Sequence, residues 1–229
     1  MTLKLIQDKM ENGSIIHLSG LAGSGKTLLA SAIAAKTSSY GHVDWVCTDG
    51  KTAFISYLKR NMPSFGGNPS NLTVTVVQGH ERVRDVVLNS VDRLNDSSKL
   101  VVVDSITRVL DMSRDEEIMW GRALFEEVLP SLAGLAISKD ICVLLVSEMR
   151  SGDTGTNPVH HGTISTWLDL DLQLVRAGES NISKIFQILK DEEPLLIGKM
   201  TLSKNGEILV DEILVEQEVK GCSENPCSV

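Results

Sequence analysis

Eight consecutive residues, Gly20-Leu21-Ala22-Gly23-Ser24-Gly25-Lys26-Thr27, spell a complete GxxxxGK[ST] pattern, the arrangement by which a chain cradles nucleotide phosphates. Its glycines let backbone N–H groups curl around an anion at a helix amino terminus, where the helix dipole favours negative charge. Lys26 is then placed to neutralise the β- and γ-phosphates, and the Thr27 hydroxyl to ligate Mg2+. The plainer reading is a glycine-rich turn carrying a solvated lysine. A second Mg2+ anchor is needed, and Asp104 closes the apolar run LVVVD, at the kind of strand end where ligands gather in open α/β sheets. Helix capping is its structural alternative. Ser105-Ile106-Thr107 comes next and offers hydroxyls near the phosphates. Hydrolysis also needs a group to orient water, and Asp49 and Glu148, each ending an apolar run, are the candidates. Asp49-Gly50 is equally a turn-forming pair.

The elements that must carry these residues alternate. Residues 14–19 (SIIHLS) read as a strand, the glycine loop comes after it, and 27–36 (TLLASAIAAK) is an alanine-rich helix. Strands are expected again at 43–48, 72–78, 100–104 and 140–147, with a helix at 52–61 and a loop in MPSFGGNPSN. Val83, Val87, Val91 and Leu94 recur at helical spacing. Ser113 and Glu116 match a capping box, predicting a helix that buries Ile118, Phe125, Val128 and Leu132 and is kinked or split at Pro130. From 168 onward LDLDLQLVR alternates strictly, and short strands are expected at 184–189, 199–203 and 207–210, with Lys204-Asn205-Gly206 as a hairpin turn. Fully apolar strands such as DICVLLVS belong where helices cover both faces of a parallel sheet. The fold class is α/β, a mostly parallel central sheet with a β-rich carboxy-terminal edge.

The chain has 229 residues, with 22 lysines and arginines against 30 aspartates and glutamates, a net charge of −8 and a pI near 5.1. A basic nucleic-acid coat is excluded. No apolar run reaches the roughly 20 residues that cross a bilayer, and the amino terminus lacks the order of a secretory signal. A cytoplasmic protein with free thiols is expected: Cys47 and Cys142 sit in apolar runs, Cys222 and Cys227 in a polar tail.

Residues 5–16 (LIQDKMENGSII), the GLAGSGKT loop, VCTDG and LVVVDSITRVL together resemble the core ATPases of the RecA/RadA recombinases. Archaeal RadB-like paralogues are the nearest likeness, and KaiC-like ATPases share much of the pattern. The resemblance spans about residues 1–210, with DSIT its most specific piece. It implies a RecA-like P-loop NTPase core over 1–215, a polar, flexible tail at 216–229, and ATP and Mg2+ as cofactors. Lys26 and Thr27 take the phosphate and Mg2+ roles and Asp104 the Walker B role. Asp49 falls where the family has a glutamate in a TEG-like sequence. Its side chain is one methylene shorter, so weak hydrolysis is expected.

Ser147-Glu148-Met149 lies where recombinases carry an asparagine-glutamine pair that senses the γ-phosphate. Residues 150–162 match the mobile DNA-binding loop, and His160-His161-Gly162 resembles its glycine-rich exit. That loop has one arginine, Arg150, offset by Asp153, whereas phosphate contacts normally use several cations. The other candidate DNA loop, 108–117, carries Asp111, Asp115, Glu116 and Glu117, and 190–194 (KDEEP) replaces a basic pattern. The function implied is an accessory role in DNA repair by homologous recombination, through single-stranded DNA or a RecA/RadA-type recombinase. The alternative is a KaiC-like or regulatory nucleotide-dependent interaction protein with little turnover and no direct DNA contact. Only about 19 residues precede the loop and no aromatic precedes Tyr40, so a long homo-filament is not expected, nor is a membrane partner.

Overall fold

Two strands that are buried on both faces fix the centre of the molecule: β1 (Ile15–Gly20) and β7 (Cys142–Val146). The computed structural model describes residues 3–10, 13–77, 79–107, 109–111, 116–118, 124–152, 155–178 and 181–212. Around the two central strands stand β2 (His42–Cys47), β3 (Leu72–Val76), β4 (Ser98–Asp104), β10 (Leu170–Arg176), β11 (Ile182–Gln187), β12 (Leu195–Leu202) and β13 (Ile208–Glu212). Among the described residues they form one sheet in the order β13-β12-β11-β10-β1-β7-β4-β2-β3. From β10 to β3 every pairing is parallel; beyond β10 all are antiparallel.

Helices cover both faces. On one side α1 (Lys4–Met10), α2 (Lys26–Thr37) and α3 (Phe54–Asn61) join a core of Ile6, Leu18, Leu29, Ile33, Trp45 and Leu58. Trp45 stacks on Phe54 with ring centroids 4.5 Å apart. On the other side α4 (His80–Leu88), α5 (Ser90–Arg93), α6 (Leu129–Lys139) and the short α7 (His161–Ile164) cover the opposite face, and α4, α6 and α7 bury Val83, Val87, Leu132, Leu135 and Ile164 against Val101, Val103, Val143 and Leu145. The hairpin of β12 and β13 turns at Gly206, whose φ is 77°, and docks on α3. There the buried Asn61 donates from Nδ2 to the Tyr57 and Gly206 carbonyls (2.8 and 3.1 Å) and accepts the Ile208 amide on Oδ1 (2.7 Å).

Three local expectations change. Residues Glu116–Ile118 are a strand, β6, paired antiparallel with β5 (Val109–Asp111), so no helix starts at Glu116; Ser113 lies outside the described residues. Backbone pairing with β5 takes the amides a helix would have used. Helical structure begins instead as a π-turn over Leu124–Val128 and becomes α6 with Pro130 in its first turn, where a missing N–H is tolerated; Val128 and Leu132 are buried as expected. The helix at 80–94 is divided at Asn89, which caps α4 and bonds back to the Asp85 carbonyl. The loop after α3 contains two short 3-10 turns, Pro63–Phe65 and Pro69–Asn71.

Among the described residues no helix is long and apolar enough to cross a membrane. Cys47 and Cys142 are free and buried, with burial pushing both thiols up to about 12. Cys222, Cys227 and the tail lie outside the described residues.

Candidate functional site

Register brings the carboxyl ends of four parallel strands to one level: Cys47 pairs with Asp104, Asp104 with Val146, and Val146 with Leu18 two residues before Gly20. The segments leaving these strand ends therefore meet one another. The glycine loop joins β1 to α2, and Gly25 stands at the helix N-cap with φ 93° and supplies no side-chain cap, leaving the first-turn amides to an outside acceptor. A Cβ on Gly25 would lie 2.4 Å from Met200 Cε, and one on Gly20 only 2.6 Å from the Leu174 carbonyl oxygen. Only glycine lets the loop lie this close to β10 and β12.

Lys26, Thr27, Asp49, Asp104 and Glu148 all line one cleft of about 410 Å³. Lys26 is 8% exposed and donates to the carbonyls of Gly20 and Leu21 (2.8 and 3.0 Å). Burial lowers its pKa, while the charges of Glu148 and Asp104 favour the ammonium. Thr27 Oγ1 donates to Asp104 Oδ2 at 2.9 Å. Burial raises the Asp104 carboxyl to about 6, against the Thr27 hydrogen bond, and the Asp49 charge adds to the rise. A carboxylate in that state is short of positive charge. Gly23, Ala22 and Gly25 line the same cleft, whereas Leu21, Ala22 and Ser24 border a neighbouring hollow with Met149 and Arg176. Ser24 Oγ is buried without a hydrogen-bond partner among the described residues.

Asp49 does form a turn. Its Oδ1 accepts the Lys51 amide at 3.0 Å and its Oδ2 lies 3.1 Å from Lys51 Nζ. Lys51, Phe54 and Tyr57 line the cleft too, and nothing in their local sequence marks them. Thr48 ties β2 to β4, donating from Oγ1 to the Ser105 carbonyl (2.7 Å) and accepting the Ser105 amide (3.0 Å). The Asp104–Ser105 peptide bond is cis. Ser105 borders the cleft, but Thr107 is buried and accepts the Glu148 amide on Oγ1 at 3.2 Å. That threonine positions β7's exit rather than meeting phosphates.

Residues 150–162 are not a single loop. β8 (Met149–Gly152) pairs antiparallel with β9 (Gly155–Pro158), and α7 comes directly after. Asp153 lies outside the described residues, as do 108 and 112–115; the rest of 108–117 belongs to the β5–β6 pair. Residues 190–194 form the turn between β11 and β12, with Asp191 at φ 59°.

No family model matches the chain, and no curated protein matches it. Among solved structures, the crystal structure of the RadB recombinase is similar over 90% of this chain and 96% of that one, with a TM-score of 0.69 and 21% sequence identity. The likeness establishes the fold: a RecA-like α/β architecture, as the sequence motifs imply.

Proposed function

We propose that the chain is a Mg2+-dependent ATP-binding protein that hydrolyses ATP slowly and assists homologous recombination by contacting DNA or a RecA/RadA-type recombinase. The observation that carries the reading is the convergence of Lys26, Thr27, Asp49, Asp104 and Glu148 on one cleft at the strand ends. The resemblance of the motifs to recombinase cores and the RecA-like fold support the biological role.

In this reading the uncapped first turn of α2 and the loop amides hold the phosphates. Lys26 exchanges two carbonyl acceptors for phosphate oxygens, whose charge favours its ammonium. Thr27 and Asp104 would hold Mg2+; their 2.9 Å contact and the cation-poor state of Asp104 fit that ion. The ion neutralises charge on the phosphate oxygens when bound. Asp49 orients the water, and Lys51 holds it back in a turn; with the short side chain, this favours slow turnover. Glu148 sets the charge around Lys26, and Thr107 fixes its backbone. The β8–β9 hairpin is the surface offered to DNA or a partner, with Arg150 its basic residue.

Equilibrium binding of a fluorescent ATP analogue, then phosphate-release assays with and without single-stranded DNA, tests this. Wild type is expected to bind with Mg2+ and Lys26→Ala to lose binding. Unchanged binding by Lys26→Ala refutes the reading. Absence of salt-sensitive DNA affinity with intact ATP binding moves the role to the protein partner.

A further inference from the structure

Away from the cleft, the face of the sheet opposite α2 carries a polar strip where β1 meets β10. His17 and Asp171 are register partners there. His17 Nδ1 lies 2.8 Å from Asp171 Oδ1, and its Nε2 lies 2.6 Å from Ser147 Oγ. From α7, directly after the β8–β9 hairpin, His161 Nε2 comes within 2.7 Å of Asp171 Oδ2. One ligand atom from each of His17, His161 and Asp171 lies within 4.8 Å of the others.

Ser147, His17 and Asp171 repeat the donor order of a serine hydrolase. Ser147 and His17 are both completely buried, so no acyl substrate reaches that hydroxyl. The open side is the other one. His161 and Asp171 border a cavity of about 590 Å³, together with Asp169, Gln187 and Lys190.

We propose that His17 Nδ1, His161 Nε2 and the Asp171 carboxylate bind a divalent first-row transition ion, with Zn2+ the best fit. Two imidazoles and one carboxylate are the donor set of zinc sites that keep a position for water, and the cavity gives water access to the open side. Ser147 Oγ faces the ring nitrogen of His17 opposite Nδ1, the outer contact that fixes the tautomer of a ligating histidine. His17 and Asp171 stand on paired strands, β1 held between β7 and β10, so two of the three donors are already in place. The ligating form has Nδ1 of His17 and Nε2 of His161 unprotonated and each ring's proton on its far nitrogen, so that Nε2 of His17 donates to Ser147 Oγ. The ion then fastens the exit of the β8–β9 hairpin to the sheet. Mg2+ prefers oxygen ligands and octahedral geometry and does not compete here.

The test uses untagged full-length protein, freed of metal by a chelator and titrated with Co2+ in Mg2+ buffer without nucleotide, so its outcome is independent of ATP binding. Expected are the visible d–d bands of low-coordinate Co2+, saturating at one ion per chain and abolished by stoichiometric Zn2+. His161→Ala, a change on a partly exposed helix, removes the bands, and His161→Cys restores binding with a sulfur-to-cobalt charge-transfer band. Ser147→Ala weakens Zn2+ about tenfold, and His42→Ala on distant β2 leaves it unchanged. A featureless titration of wild type, or bands that survive His161→Ala, overturns the site.

Discussion

Asp104 and Asp171 are carboxylates enclosed in the same sheet, yet their surroundings push them in opposite directions. At Asp104 burial dominates, and one hydroxyl and distant ammonium groups leave it raised to about 6. At Asp171 burial also pushes up, but hydrogen bonds from His161 and His17 outweigh it and hold the group below the usual carboxylate range. The first meets one hydroxyl, the second two imidazoles. Burial alone therefore does not set the charge state of an enclosed carboxylate; the balance between burial and partners does.

Substitution of each carboxylate by its amide breaks or sharpens the contrast. Asp104→Asn is expected to reduce Mg2+-dependent ATP turnover by about a hundredfold or more, read as phosphate release. The same variant, without nucleotide at pH 7, should be more stable by on the order of 2 kcal/mol, because it removes a charge the fold disfavours. Asp171→Asn should go the other way and lose about 2–3 kcal/mol, since it strands two imidazoles. Urea midpoints decide both; shifts of the same sign would erase the distinction.

Acidity separates the pair next. A carboxyl raised in the folded state destabilises it while ionised, so protonation as pH falls through about 6 stabilises the empty protein. If Asp104 holds Mg2+ as proposed, protonation also removes that ligand, so nucleotide affinity should fall several-fold between pH 7 and pH 5.5, and Asp104→Asn should flatten that slope. Asp171 is depressed, so its contribution is present above about 4, its unfolded value, and is lost only as pH falls through its lower folded value. The smallest effect concerns Asp49. Asp49→Glu should raise kcat by about threefold to tenfold by restoring reach toward the water; a fall in kcat would instead favour Glu148 as the orienting group.

The glycine loop is legible in the sequence because its chemistry is confined to eight consecutive residues, and Asp104 because an acid ending a wholly apolar strand has few other uses. Lys51, Phe54 and Tyr57 are not, since their place in the cleft depends on strand register and the path of α3. His17 is inconspicuous within SIIHLS, as its partner Asp171 is 154 residues away and only the β1–β10 pairing joins them. Glu116 misleads because an S-x-x-E spacing is satisfied equally by a hairpin strand. The residues of β8 and β9, MRSG and GTNP, carry too little hydrophobic alternation to announce a hairpin.

Asn61 carries a consequence for how the pocket comes into being. Its amide fastens α3, a wall of the cleft, to a hairpin formed more than a hundred residues later in the chain. During synthesis that wall stays unlatched until Ile208 has left the ribosome, so the cleft is completed late. In the finished protein, opening either α3 or the β12–β13 hairpin releases the same buried side chain, so the two should come apart together.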